Sequence, residues 1–164
     1  MFNLMLITLL SLQVEFVDLD LGLSFKVKEG YNIAKISPQL HQPFLYLGKP
    51  EQLYPNVNFV FSGRSQGDEQ YSHRDELIGQ LKSIFENVTI HKVERLSVHE
   101  SGNGLKIVYS YDGPNNKSLT QIQYHFNLNG FYLIATGSSI SSKFVQDLSD
   151  FEEILFNMQT VNAK

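Results

Sequence analysis

Five histidines, His41, His73, His91, His99 and His125, carry the imidazoles that could ligate a metal ion or move a proton near neutral pH. His91 and His99 share parity along one β-favouring stretch, but eight residues of strand separate them by roughly 26 Å, too far to share an ion. His99 with the adjacent Glu100, or with His125 on a neighbouring strand, is geometrically open. A metal-dependent hydrolase using His99, Glu100 and His125 therefore stands as one alternative. Ser72, His73 and Asp75 offer the residue types of a hydrolytic triad, yet neighbours at the start of a helix cannot line up as nucleophile, base and orienter. Ser72 and Asp75 are already explained there, as a cap for the backbone N–H of Asp75 and as a first-turn acid with Glu76. The SGRSQG stretch at residues 62–67 has neither the Lys-Ser/Thr ending of a phosphate-cradling loop nor a dinucleotide fingerprint. No constellation demands a particular chemistry, so the expectation is a protein that is not an enzyme, uses no metal and no cofactor, and works by binding.

The elements that would position any site are clearest from residue 88 to 138. Four β-favouring segments are punctuated by Asn103-Gly104, Gly113-Pro114-Asn115-Asn116 and Asn129-Gly130, which predicts an antiparallel meander. Leu105, Ile107, Tyr109 and Tyr111 alternate with Lys106, Val108, Ser110 and Asp112. In the next segment Ile122, Tyr124, Phe126 and Leu128 alternate with Gln121, Gln123, His125 and Asn127. One side of these strands is read as apolar. The other side, at the second strand, is polar but uncharged, and Gln121, Gln123 and His125 make either a ligand groove or a solvated or helix-edge-covered face. Phe131 to Ala135 is apolar on both faces and is expected at the centre of the sheet.

Upstream, residues 16–36 read as one or two strands with a turn at Glu29-Gly30, and NVNFVF at 56–61 as another. Residues 37–55 hold four of the five prolines and lack a period, so they read as an ordered surface loop with room for a short helix or edge strand, and with Phe44, Tyr46 and Tyr54 as aromatic binding anchors. Two amphipathic helices complete the list. The first starts near Ser72 and buries Leu77, Leu81, Ile84 and Phe85, with Ile78 beside them. The second runs from about Lys143 to Gln159 and buries Phe144, Leu148, Phe151, Leu155 and Met158, leaving Gln146, Asp147, Asp150, Glu153 and Asn157 as a solvated acidic face.

Composition sets the outer bounds. A chain of 164 residues makes one domain, able to bury roughly 70% of its unfolded surface. The net charge of −4, with scattered Lys and Arg, gives no footprint for nucleic acid, and the absence of Cys removes disulfides, thiolate metal sites and cysteine nucleophiles. Residues 1–20 form an apolar N-terminal segment whose apolar run, residues 1–14, is short of the ~20 residues a transmembrane span requires, and residues 21–164 a single domain. That segment reads as a signal peptide, which implies a secreted or periplasmic protein, or as a docked element of a cytoplasmic one. The lack of Lys or Arg before Lys26 and of a small-x-small cleavage site weakens the first reading.

Several stretches together resemble one family. "LGLSFKVKEGYN" looks like an opening strand pair of the form G-x-S-F-x-x-P-x-G-W, with Lys28 in place of Pro and Tyr31 in place of Trp. "PNVNFVF", "NGLKIVYSY" and "NGFYLIATGSS", followed by a Phe-containing helix, complete the likeness over about residues 21–160. The chain is similar to the PsbP-like superfamily, which includes the photosystem extrinsic subunit, the Ran-binding Mog proteins and the bacterial DcrB-like proteins. The resemblance implies an α+β fold, an antiparallel sheet of about six strands sandwiched between helices, used for binding or assembly without a shared active site. The expectation is a DcrB-like or PsbP-like module, monomeric or homodimeric, that binds a protein through Phe44, Tyr46 and Tyr54 or through Gln121, Gln123 and His125. An adaptor chaperone for a secreted effector is a further alternative.

Overall fold

The computed structural model describes residues 14–18, 23–35, 43–64, 70–98, 102–128, 130–156 and 159–160. Among the described residues the chain forms ten strands and two α-helices: β1 (Val14–Asp18), β2 (Leu23–Val27), β3 (Asn32–Lys35), β4 (Pro43–Gly48), β5 (Asn56–Arg64), α1 (Arg74–Ile84), β6 (Thr89–Val98), β7 (Gly102–Gly113), β8 (Lys117–Leu128), β9 (Phe131–Ile140), α2 (Phe144–Phe156) and β10 (Gln159–Thr160). Seven strands form one antiparallel sheet in the order β3-β4-β5-β9-β8-β7-β6, and β1, β2 and β10 form a separate small sheet. The α+β fold with a meander of β6 to β9 is as the patterning predicts, and β9 is indeed the middle strand of the seven.

Each helix takes one side of the large sheet. On the α2 side Phe144, Phe151, Ile154 and Leu155 pack with Val57, Phe59, Ile122, Tyr124, Phe126, Leu133 and Ala135, and Phe25 and Val27 of the small sheet join them. Phe151 lies directly against Gly137 of β9, where an added Cβ would stand 2.6 Å from its ring. On the α1 side Leu81 packs with Leu105, Ile107, Tyr109, Tyr111 and Leu119.

The apolar rows of β7 and β8 do not share a side. Tyr109 is paired with Gln121, Ile107 with Gln123 and Leu105 with His125, and directly paired residues point the same way. The apolar row of β7 and the polar row of β8 therefore both face α1, while Ile122, Tyr124 and Phe126 face α2. The turn Pro114–Asn116 sets this phase, with Asn115 and Asn116 at φ 59° and 55°. Burial on both sides replaces the expected single apolar side.

Other expectations shift for local reasons. Asn103 and Gly104 lie within the β6–β7 ladder opposite Ser97 and Leu96, because Val98 already pairs with Gly102. The 37–55 region contains β4, which sits inside the sheet between β3 and β5. A 3-10 turn, Gln70–His73, leads straight into α1, so His73 occupies the N-cap position and the helix has no side-chain cap there. Phe85 leaves the helix in extended conformation and packs against Tyr111 in a tilted pair with ring centroids 4.2 Å apart, while Ile84 is left at 69% exposure. α2 stops at Phe156, and Gln159 and Thr160 pair with β2 instead of extending the helix. Met158 lies outside the described residues.

The acidic residues of α2 are tied down rather than solvated. Lys28 Nζ reaches Asp150 Oδ1 and Glu153 Oε2, both at 2.8 Å, Lys106 Nζ reaches Glu152 Oε1 at 3.1 Å, and the Ser139 hydroxyl donates to buried Asp147 at 2.5 Å. The hydrogen bond to Asp150, with that to Glu153, raises the Lys28 pKa above its ordinary value. These contacts close the rim of the α2 layer over its apolar core.

Candidate functional site: an uncharged face of the large sheet

The two surfaces singled out by sequence meet on the α1 side. Tyr46 on β4 pairs with Asn58 on β5, Asn58 with Thr136 on β9, and Thr136 with Gln123 on β8, so the four stand in one row across the strands. The adjoining row holds Asn56, Ser138 and Gln121. None of these side chains carries a charge. Tyr46 is 42% exposed at the outer end, and the 49–55 loop presents Leu53 at 71% exposure, its carbonyl accepting from Asn56 Nδ2 of the adjoining row at 2.7 Å. Tyr54 is half-buried against the α1-side core, near enough to Tyr46 and Tyr111 that their phenols act on one another electrostatically. Phe44 lies on β4, and its side chain is outside the described ones.

At the inner end the polar side chains of β8 bind one another in a directed chain. Gln123 Oε1 can only accept, so His125 Nε2–H donates to it at 3.1 Å, and the Tyr132 hydroxyl donates to His125 Nδ1 at 2.7 Å. Gln123 Nε2 donates to the Tyr109 hydroxyl at 2.9 Å, Tyr109 donates to Gln121 Oε1, and Gln121 Nε2 donates to Tyr111 at 3.1 Å and Ser138 at 3.0 Å. Each donor named has an acceptor, which is what keeps polar groups affordable away from water. The face is thus neither plainly solvated nor open.

The electrostatics follow from burial. His125 is 3% exposed, and desolvation lowers its pKa to about 4, so it is neutral at physiological pH. Burial pushes the Tyr109, Tyr111 and Tyr132 phenols upward, which keeps them protonated as donors and unfit as bases. With both ring nitrogens of His125 engaged, ligating a metal would require breaking this chain. His99 and Glu100, the other members of the hydrolase alternative, lie outside the described residues, as does His41. Among the described residues no group of three metal-ligating side chains converges, and no helix is long and apolar enough to cross a membrane.

Sequence reading passed over Asn58, Thr136, Ser138 and Leu53. The alternation of Asn56 and Asn58 in NVNFVF, and of Thr136 and Ser138 in β9, was the available signal for a polar side of β5 and β9.

No protein-family model and no curated protein matches the chain. Its fold matches solved structures at low identity. The cyanobacterial PsbP protein of Synechocystis aligns with a TM-score of 0.66 at 9% identity, covering 90% of this chain and 91% of that one. LpqN of Mycobacterium tuberculosis, described as involved in cell envelope biogenesis, aligns at 0.60 and 9% identity over 85% and 83% of the two chains. A Pseudomonas aeruginosa protein of unknown function aligns at 0.55 and 11% identity over 88% and 94%. The fold is PsbP-like.

Proposed function

We propose that this chain is a non-enzymatic binding or assembly module with the PsbP-like fold, and that it engages a protein partner through the α1-side sheet face. The observation that carries the reading is the pairing of an exposed tyrosine and an exposed leucine, Tyr46 and Leu53, with an uncharged polar row behind them. Aromatic anchors beside a charge-poor, hydrogen-bonding surface are the composition of a protein interface centre. The tyrosines and histidine behind the row serve as a preorganised backing, since their protons are fixed by the directed chain. The likeness to LpqN supports a place in the cell envelope and hence a secreted or periplasmic protein.

A photo-crosslinking amino acid placed at Tyr46 or Leu53 in the native cell tests the reading, with exposed Glu29 as the control position. Adducts with one protein from both test positions, absent from the control, are expected. The same adducts from all three positions, or none from Tyr46 and Leu53, would overturn it.

A further inference from the structure

A concavity lies on the other side of the sheet, where β6, β7 and β8 meet the start of α2. Its volume is about 430 Å³, within the range of ~300–1,000 Å³ usual for small-ligand pockets. Its polar lining consists of His91, Ser110, Ser118, Thr120 and Ser141. Val108, Phe144 and Val145 supply the apolar part. None of the eight lining residues is Asp, Glu, Lys or Arg, so the groove has neither a carboxylate for a metal cation nor a fixed cation for an anion.

The polar groups are organised. Thr120 donates to Ser141 Oγ at 2.8 Å, and Ser141 and Ser118 share a hydrogen bond at 2.9 Å. When Ser141 gives its proton to Ser118, the exposed Ser118 hydroxyl is left to donate into the groove. On the opposite wall a β-bulge between Ile90 and Lys92 takes His91 out of the regular ladder, and its Nε2 lies 2.8 Å from Ser110 Oγ. A hydroxyl offers one donor and two acceptor positions, so all four retain capacity beyond these bonds. Val145 is 83% exposed, an unusual setting for a β-branched apolar side chain on the first turn of a helix.

We propose that this groove binds a neutral sugar ring. A sugar hydroxyl is itself both donor and acceptor, matching a wall of groups that are all of that kind, while its C–H face matches Val108, Phe144 and Val145. Absence of fixed charge in the lining favours an uncharged ring over a phosphorylated or acidic one. The site is separate from the proposed protein-binding face, since Ser110, Ser118 and Thr120 lie on the α2 side of the same strands whose Tyr109 and Gln121 face α1.

Amide chemical-shift titration of the full chain tests the assignment, with glucose, N-acetylglucosamine and maltose as neutral probes and inorganic phosphate as the charged one. Saturable shifts confined to Ser110, Ser118, Thr120, Ser141 and Val145 at millimolar neutral sugar are expected. The substitutions Ser118→Ala and Val145→Asp, both at exposed positions, should leave the rest of the spectrum unchanged and weaken binding at least fivefold. Saturation by phosphate but not by any sugar would overturn the proposal in favour of an anion site. Shifts that stay linear with every sugar, or that survive both substitutions, would overturn it outright.

Discussion

The two sides of the seven-stranded sheet are built from the same alternating strands but filled with different chemistry. Toward α2 the core under the helix is hydrocarbon and aromatic, with Phe25, Phe59 and Phe151 buried at 1% exposure or less, lysine–carboxylate pairs close its rim, and the hydroxyl-lined groove of Ser110, Ser118 and Thr120 lies at its β6–β7–β8 edge. Toward α1 only the β6–β7 half is hydrocarbon. The half formed by β5, β9 and β8 is occupied by amides, hydroxyls and an imidazole, with the β8 side chains bonded to one another and to Tyr109, Tyr111, Tyr132 and Ser138, while the buried Asn56 Oδ1 on β5 has no hydrogen-bond partner among the described residues. The lesson is that one side carries the stability of the fold, whereas the other holds a polar surface in a fixed arrangement that can face a partner.

The comparison breaks most readily at Phe151, which is fully buried under α2. Phe151→Ala should cost about 3–5 kcal/mol in urea-induced unfolding. A loss under 1 kcal/mol would mean that α2 does not anchor the domain. Gly137→Ala attacks the same contact from below, since the new Cβ would meet Phe151 at 2.6 Å and Ile122 at 3.0 Å. Overpacking of this kind costs about 1–3 kcal/mol.

Acid sharpens the contrast on the other side. The His125 pKa falls from 6.5 unfolded to about 4 in the fold, so between these values the unfolded chain takes up a proton that the folded chain refuses. Stability from this group is complete above pH 6.5 and erodes as the pH drops toward 4, by on the order of 2–3 kcal/mol. His125→Gln should flatten that part of the pH–stability curve, and an unchanged slope would assign acid sensitivity to other groups.

Smaller effects are expected at the rim and at the anchors. Lys28→Met removes two ion pairs whose lysine is 30% exposed, and should lower stability by no more than ~1 kcal/mol, with the difference shrinking in 1 M salt. Tyr46→Ala should shift the unfolding midpoint least of all, within ~0.5 kcal/mol, while abolishing the partner adduct formed from Leu53.

Much of this architecture was legible in the residues. Phe144, Phe151 and Leu155 recur at helical spacing and are buried, and the double-sided apolar run of β9 placed it at the centre. What the pattern could not supply was phase between neighbours. Alternation reveals that β7 and β8 each have an apolar row, but which side each row faces depends on the turn and the ladder register, which are tertiary facts. The acidic face of α2 misleads for a similar reason, because Lys28 and Lys106 come from distant elements. At the candidate site, Tyr46 and Gln123 were visible singly. Their alignment required the two intervening strands, β5 and β9.

The short link Pro114–Asn116 therefore governs more than a change of direction. One residue added there, with the β8 ladder otherwise re-forming, would send Ile122, Tyr124 and Phe126 toward α1 and the amides and imidazole into the hydrocarbon beneath α2. Both coats of the sheet would be spoiled by a single insertion. Length tolerance at this hairpin should consequently be far lower than its exposed position suggests.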